Sequence, residues 1–446
     1  MDKIYDFVGI GVGPFNLSLA CLTDPIEELD GIFVDQRVSF DWHAGMLLED
    51  TTLQVPFLAD LVTMADPTSP YSFLNYIKQQ GRLYSFYIKE DFLLLRNEYN
   101  QYCQWAVEQL SNIYFSTKVV EVYYEASNEC YAVVCLCTKT GVQKLYRGKK
   151  LVLGTGTSPY IPDCAANIDE QVIHSSSYLM KKRALQHQKA ITIVGSGQSA
   201  AEIFYDLLTE IDHYGYTLNW ITRSPRFFPL EYTKLTLEMT SPDYLDYFYN
   251  LPKDKKEALV KNQKQLYKGI NGDLIANIFD LLYTKRLMHK VNVGLRTNST
   301  LKNAYTTDGK VILEIHQHEQ DKYYRHQTEA VIMATGYTYR MPKFLKGIYD
   351  RICWNEEEQF DVQRNYAVDK EGCEVFVQNA ELHTHGFVTP DLGMGCYRNS
   401  SIIKAMTGRE YYPIEKRIAF QQFDVMEEEE IPYPSNEIET PIETVI

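Results

Sequence analysis

The chain has 446 residues, 45% of them hydrophobic and 23% charged, with 24 Gly and 17 Pro. That length exceeds one compact core and the composition is that of a protein folded in water, which excludes a small binding module, a collagen-like or disordered chain and a membrane-embedded one. Lys plus Arg number 44 against 59 Asp plus Glu, and the resulting charge of −15 repels phosphate backbones, which excludes general nucleic-acid binding.

Eight of the acids stand from Asp424 onward with no Lys or Arg among them, so the body itself is only mildly acidic. The nine cysteines contain no C-x-x-C pair, and the closest two, Cys135 and Cys137, suit neighbouring strand positions better than a disulfide; all nine are read as reduced. The N-terminus lacks a basic segment followed by a long apolar stretch, and no apolar run reaches the roughly 18 residues of a membrane span. These features predict a cytoplasmic protein.

In chain order, residues 4–12 read as a short buried strand, Gly11-Val12-Gly13 as a turn, 14–22 as a helix, and 31–34 as a second strand ending at Asp35. Strand, glycine turn, helix, strand and acid make one βαβ unit. Residues 119–137 have β composition, and 150–153 run into Gly154-Thr155-Gly156. A second βαβ unit begins at 190–194, turns through Gly195-Ser196-Gly197, continues as a helix from Ser199 and reaches a strand at 218–222. Helical spacing then extends over 237–287, interrupted at Pro242 and Pro252. Residues 310–315 and 329–333 are strands by composition, the second ending at Ala334-Thr335-Gly336-Tyr337. The predicted fold class is α/β: two Rossmann-like dinucleotide-binding domains, one threaded through the other, with a smaller helical substrate-binding insert. The expected boundaries are 1–170 with 334–423 for the first domain, 171–230 with 290–333 for the second, 231–289 for the insert and 424–446 for an acidic mobile tail.

Gly11-Val12-Gly13-Pro14-Phe15-Asn16 follows a strand and opens a helix, so its amides can approach a pyrophosphate and the helix N-terminus can face the negative charge. Asp35, 24 residues past Gly11, stands where a carboxylate can accept ribose hydroxyls; Asn16 in place of the third glycine is a departure from the fingerprint. The competing reading is a plain turn and a solvated acid. In the second unit, Gly195-Ser196-Gly197-Gln198-Ser199-Ala200 keeps the fingerprint with Ala at its third position. The next strand ends Thr222-Arg223-Ser224-Pro225-Arg226, with no acid and two guanidiniums, a pattern that accommodates a 2′-phosphate and selects NADPH, unless both arginines are ordinary loop residues. Two dinucleotide sites, one for reduced nicotinamide, imply a flavin at the other as hydride acceptor. No metal is called: His383 and His385 lie one residue apart and His174 stands alone, without metal-ligand spacing.

Several segments together resemble the flavin-dependent lysine/ornithine N-monooxygenases of hydroxamate siderophore biosynthesis. They are Gly11 to Ser18, Trp42-His43-x-Gly45-Met46, Leu53-Gln54, Asp66-Pro67-Thr68-Ser69-Pro70-Tyr71, His174-Ser175-Ser176-x-Tyr178, the 195–200 glycine turn, Ala334-Thr335-Gly336-Tyr337 and His385-Gly386. The similarity spans nearly all the chain to about Phe423. It implies bound FAD, NADPH as reductant, O2 as co-substrate, and a flavin hydroperoxide that passes one oxygen to a primary amine. By the same resemblance Trp42, His43, Met46 and Gln54 line the flavin, with Gln54 at its reactive face. Arg223 holds the 2′-phosphate, and Gln198 and Ser199 lie against the nicotinamide nucleotide. Thr335, Gly336 and Tyr337 join the cofactor set. Family members are commonly tetramers or dimers of dimers, so a homo-oligomer is expected.

The departures from that family bear on the amine. Members acting on ornithine or lysine carry a lysine at the position of Ala59, where it pairs with the substrate's α-carboxylate; a methyl group cannot, and an unpaired buried carboxylate costs several kcal/mol. Near the end, Gly393 replaces a serine and Asp391 adds a negative charge. A site short of a cation and rich in carboxylates suits a diamine, putrescine or cadaverine, as in the diamine N-hydroxylases. Ala59, Glu231, Asn271, Asp391 and Gly393 are the candidate substrate-site residues, with Asp391 the first choice of anchor and Glu231 or Glu238 the alternatives. If Lys234 or Lys268 replaces the missing lysine, the substrate is still L-lysine or L-ornithine. Rival classes are a sulfur- or ketone-oxygenating flavin monooxygenase, a disulfide reductase, against which the absent redox cysteine pair counts, and a redox-sensing scaffold.

Overall fold

The computed structural model describes residues 3–168 and 171–431. The first sheet is built from β1 (Ile4–Ile10), β2 (Gly31–Val34), β3 (Ile113–Tyr114), β4 (Thr117–Glu125), β5 (Cys130–Cys137) and β6 (Gln143–Leu153), in the order β3-β2-β1-β6-β5-β4. β1 runs parallel to both β2 and β6, and β4 to β6 form an antiparallel meander. All four residues of β2 are buried, as a parallel strand covered on both faces requires. The helix α1 (Pro14–Thr23) crosses from β1 to β2. Pro14 occupies its first turn, where the missing N–H costs nothing, and its N-cap, Gly13, leaves the helix start without a side-chain cap. α2 (Arg96–Gln109) packs on α1 through Cys103 and Ala106 in one apolar core with Phe7, Phe33 and Leu17.

The second sheet is wholly parallel: β7 (Val172–His174), β8 (Ala190–Gly195), β9 (Thr217–Ile221), β10 (Val293–Arg296) and β11 (Ala330–Ala334), in the order β7-β11-β8-β9-β10. α3 (Gln198–Tyr214) joins β8 to β9 and ends at Gly215 in the left-handed region, a common helix stop. Three antiparallel strands, Ser299–Thr307, Lys310–Gln317 and Lys322–Thr328, pack against this sheet through Val311, Leu313 and Ile315. The chain then returns to the first sheet: β12 (Val375–Val377) pairs parallel with β6.

The helices after β9 include α4 (Pro242–Asn250), α5 (Lys253–Asn262) and α6 (Gly272–Met288). Pro242 and Pro252 begin helices rather than break one, at the first position of α4 and the N-cap of α5. The expected insert extended to residue 289, but α6 packs on α3 and buries Ile278 in the core of the second sheet, so the part standing over the first domain is 231–271. α7 (Gly395–Thr407) packs on α1, with Asn399 Nδ2 donating to Phe15 O and Ser18 Oγ.

Beyond α7 the chain becomes a strap across the insert rather than part of the first domain. The N–H groups of Ile418 and Ala419 donate to Asp243, those of Phe420 and Gln421 donate to Glu238, and Phe423 packs against Tyr244. Residues 424–431 of the expected tail are exposed and hold one short turn, Glu427–Glu429; its remainder, 432–446, lies outside the described residues. Among the described residues all nine cysteines are unpaired, and no helix is long and apolar enough to cross a membrane.

Candidate active site

A cavity of about 950 Å³ opens where the C-terminal ends of the parallel strands of both sheets meet the insert. Ligands of open α/β sheets sit in this position, beyond the carboxyl ends of the strands. Gly11, Gly13, Pro14, Phe15, Asn16, Asp35, Trp42, His43, Met46, Gln54, Gln198, Ser199, Glu231, Tyr337 and Asp391 all line it, so one space gathers most of the residues singled out in the sequence.

At the first βα turn the backbone fits a pyrophosphate. Gly11 has φ +88°, and a Cβ there would lie 2.4 Å from the Gly154 carbonyl oxygen; a Cβ on Gly13 would meet nothing within 4 Å, so the uncapped start of α1 is open to the cavity. Asn16 is a brace rather than a flaw in the fingerprint: fully buried, it donates to Gly11 O at 2.7 Å and accepts from Gln378 Nε2 at 2.7 Å. Gln378 Oε1 is buried at the cavity wall without a protein partner, as a polar atom reserved for a ligand would be, and the Tyr232 hydroxyl lies in the same wall beside the Gln54 and Asn271 amides. Asp35 accepts from Val12 N at 2.7 Å and from Arg37 N, Nε and NH2 at 2.8–3.1 Å. Its acceptor positions are therefore taken, and a ribose hydroxyl reaches the carboxylate only by displacing Arg37, whose side chain is 38% exposed.

Across the cavity Trp42 and His43 meet edge to face at 4.5 Å, and the His43 ring stands 6.0 Å from Tyr337. Desolvation in the recess and, second, the charge of Arg96 push the His43 pKa down to about 4, so the ring is neutral at pH 7. Four other cofactor candidates lie behind the wall. Gly195 is a packing glycine: a Cβ would stand 2.2 Å from Ala334 O on the neighbouring strand. Gly197 caps α3. Thr335 Oγ1 donates to Tyr160 O, and the Gly336 carbonyl oxygen is held by His174 Nε2 at 2.9 Å, so these two fasten the end of β11 while Tyr337 alone faces the cavity. Arg223 lies outside the lining as well, exposed at the end of β9. Its charge and that of Lys264, with burial first, hold Lys268 below its ordinary pKa, so three cations gather here.

On the substrate side, Asp391 Oδ1 accepts from Gly393 N at 2.8 Å. Burial raises the Asp391 pKa against the opposing pull of that N–H and of Arg398, whose guanidinium is already paired with Glu381 at 2.9 Å. Ala59 and Gly393 do not reach the cavity; they pack behind Asp391, where a Cβ on Gly393 would lie 3.8 Å from that of Ala59. Lys234 and Lys268 do not line the cavity either. Asn271 is not a lining residue: its side chain caps α6 through Leu274 N, and its own N–H donates to Gln198 Oε1 at 2.8 Å. Glu238 is occupied by the strap, which leaves Glu231 and Asp391 as the acids facing this end of the cavity.

The sequence reading missed Arg37, Arg96, Glu202, Tyr232 and Gln378. Only Glu202 carried a local signal, lying four residues after Gln198 on the same helix face.

A family profile described as L-lysine 6-monooxygenase/L-ornithine 5-monooxygenase matches residues 3–339. A putrescine N-hydroxylase of Shewanella oneidensis is 55% identical over 420 residues, 94% of this chain and 84% of that protein. The chain belongs to the L-lysine 6-monooxygenase/L-ornithine 5-monooxygenase family. Among solved structures of the family, the FAD-bound cadaverine monooxygenase DfoA of Erwinia amylovora superposes with a TM-score of 0.94 at 57% identity, covering 95% of this chain and 99% of that one. An ornithine N-hydroxylase of Kutzneria sp. 744, solved with reduced FAD, NADP+ and L-ornithine, superposes at 0.82 with 25% identity over 91% and 99% of the two chains. The two-sheet α/β architecture is that of this family.

Proposed function

We propose that the protein is an FAD- and NADPH-dependent monooxygenase that N-hydroxylates an aliphatic diamine, putrescine or cadaverine, for hydroxamate siderophore synthesis. The observation that carries the choice of amine is Asp391, a carboxylate facing the cavity with Ala59 behind it and without a lysine at its side. An amino-acid substrate would bring its own carboxylate to that acid, whereas a diamine brings an ammonium. The putrescine and cadaverine named for the similar proteins point the same way.

The open start of α1 and the Gly11–Gly13 turn would hold the FAD pyrophosphate, with Trp42, His43 and Met46 against its ring. Gln198, Ser199 and the Arg223 cluster would hold NADPH. Once bound, FAD reduced by NADPH would supply the two electrons that activate O2, one atom of which goes to the amine and the other to water. The chain's own task is placement. Asp391 fixes the far ammonium, and Leu53, Val55, Leu230, Leu237 and Leu266 line the cavity with apolar surface that disfavours a second charge, so the reacting nitrogen arrives with its lone pair free. The same surface excludes bulk water.

The protein would act in the cytoplasm as a homo-oligomer. Support for self-association is the stripe Phe279, Tyr283 and Leu287 on the outer face of α6, which are 68%, 67% and 72% exposed and which sedimentation of wild type beside a Tyr283→Glu variant would test. The function is tested by incubating the enzyme with putrescine, NADPH and air. The expected product is the amine heavier by one oxygen atom, formed only when both FAD and NADPH are present; oxidation of NADPH without an oxygenated amine under any condition would refute it.

A further inference from the structure

A chain of polar contacts connects the interior to Gln54, and every link has a fixed direction. Glu202, 1% exposed, is paired bidentately with Arg96: NH2 to Oε1 at 2.7 Å and NH1 to Oε2 at 2.9 Å. A carboxylate only accepts, so the end of the Gln198 amide that meets Glu202 Oε1 at 2.9 Å must be its NH2. The other end is then the carbonyl oxygen, as the Asn271 N–H aimed at it also demands. That oxygen and the Gly269 carbonyl, at 3.4 and 3.3 Å, both face the Gln54 amide and can take only its NH2. Gln54 Oε1 is left as the acceptor end of that amide, on a side chain that lines the cavity beside the Tyr232 hydroxyl.

We infer that Glu202, held by Arg96, is a positioning residue that, with the Asn271 N–H and the Gly269 carbonyl, fixes the polarity of both amides and so makes Gln54 present a hydrogen-bond acceptor to the reaction space. Neither glutamine could fix its own orientation, because the two ends of a primary amide are alike in shape. An acceptor at this point suits an N–H donor, and the donor is either the neutral amine of the substrate or a ring N–H of the reduced flavin. This rests on the proposed function for the reaction that is measured, but the order imposed on the amides does not depend on which amine is the substrate.

The test is a double-mutant cycle between Glu202→Gln and Gln54→Leu in the FAD-loaded enzyme at saturating NADPH. Its readout is the fraction of NADPH oxidised that appears as hydroxylated amine, using whichever amine the wild type oxygenates best. Glutamine at 202 keeps the shape but can face Gln198 with either end. The expected result is that each single variant lowers the fraction about three- to tenfold, the scale of one directed hydrogen bond, and that the double variant is no worse than either. Calorimetric affinity of the amine for the oxidised enzyme without NADPH separates the donors: a parallel loss in Glu202→Gln identifies the amine, and an unchanged affinity identifies the flavin. An unaltered fraction in Glu202→Gln, or losses that multiply in the double variant, would overturn the inference. If Glu202→Gln does not fold, Gln198→Met takes its place in the cycle under the same criteria. A failure of the proposed function reads differently, as absence of any oxygenated amine in the wild type.

Discussion

At the scale of single residues, two glycines of the first turn separate folding from cofactor binding. Gly11→Ala puts a methyl group 2.4 Å from a carbonyl oxygen at a φ of +88°, and Gly13→Ala puts one into open space. The first variant is expected to lose stability, by about 1–3 kcal/mol on the backbone term alone, and to melt earlier. The second is expected to fold and melt like wild type but to retain little FAD through gel filtration. Asp391→Asn should leave FAD content unchanged and raise KM for putrescine about 10- to 100-fold, the worth of a hydrogen bond to a charged group. Ala59→Lys would neutralise Asp391 from behind and should shift the preference toward L-ornithine; steady-state kinetics on both amines read it. Because the ordinary histidine value of 6.5 falls to about 4 at His43, the ring is already neutral at pH 6 and takes up a proton only well below pH 5. The kcat/KM for a diamine should then rise with pH as the ammonium gives up its proton, following an amine pKa of about 10, without a separate inflection near 6.5. An inflection there that disappears in His43→Gln would contradict this assignment.

Among the elements, the strap after α7 ties the insert to the rest of the molecule at its outer edge, beside the Arg364–Asp246 and Lys253–Glu357 ion pairs. Glu238 accepts two strap N–H groups and the Gln421 side chain, so Glu238→Ala should free the strap and let a protease cut within 413–423 severalfold faster, with the unfolding temperature nearly unchanged. Equal cleavage rates would mean that Phe423 and Asp243 hold it unaided. The elements also show what a sequence can carry. Both βαβ units were legible because their periodicity, glycine turns and following charges are local, and strands at 190–194 and 310–315 stand within a few residues of where composition puts them. α6 was misassigned because helical spacing says that an apolar face exists, not which core it covers; only the three-dimensional contact with α3 decides that. Thr335 and Gly336 illustrate the same limit, since a motif at a strand end does not say which of its residues turns toward the cavity and which fasten the strand.

The whole molecule brings two nucleotide folds and an insert around one cavity, and the network through Arg96, Glu202, Gln198 and Gln54 crosses between them. Its members are 42 to 148 residues from Gln54 in sequence, and no local pattern joins Arg96 to Glu202. Ala59 and Asp391 were singled out for a different reason: they are changes of charge, and charge is read from sequence without geometry. The structure adds that Ala59 sits behind Asp391 rather than in the cavity, so the effect proposed for it would be exerted through that acid. The most direct test is the ratio of kcat/KM for putrescine and cadaverine to that for L-ornithine and L-lysine, measured side by side as hydroxylated product. A ratio above about 100 for the better diamine is predicted, the price of bringing a second carboxylate to an unneutralised one being several kcal/mol. A ratio below one would contradict the account.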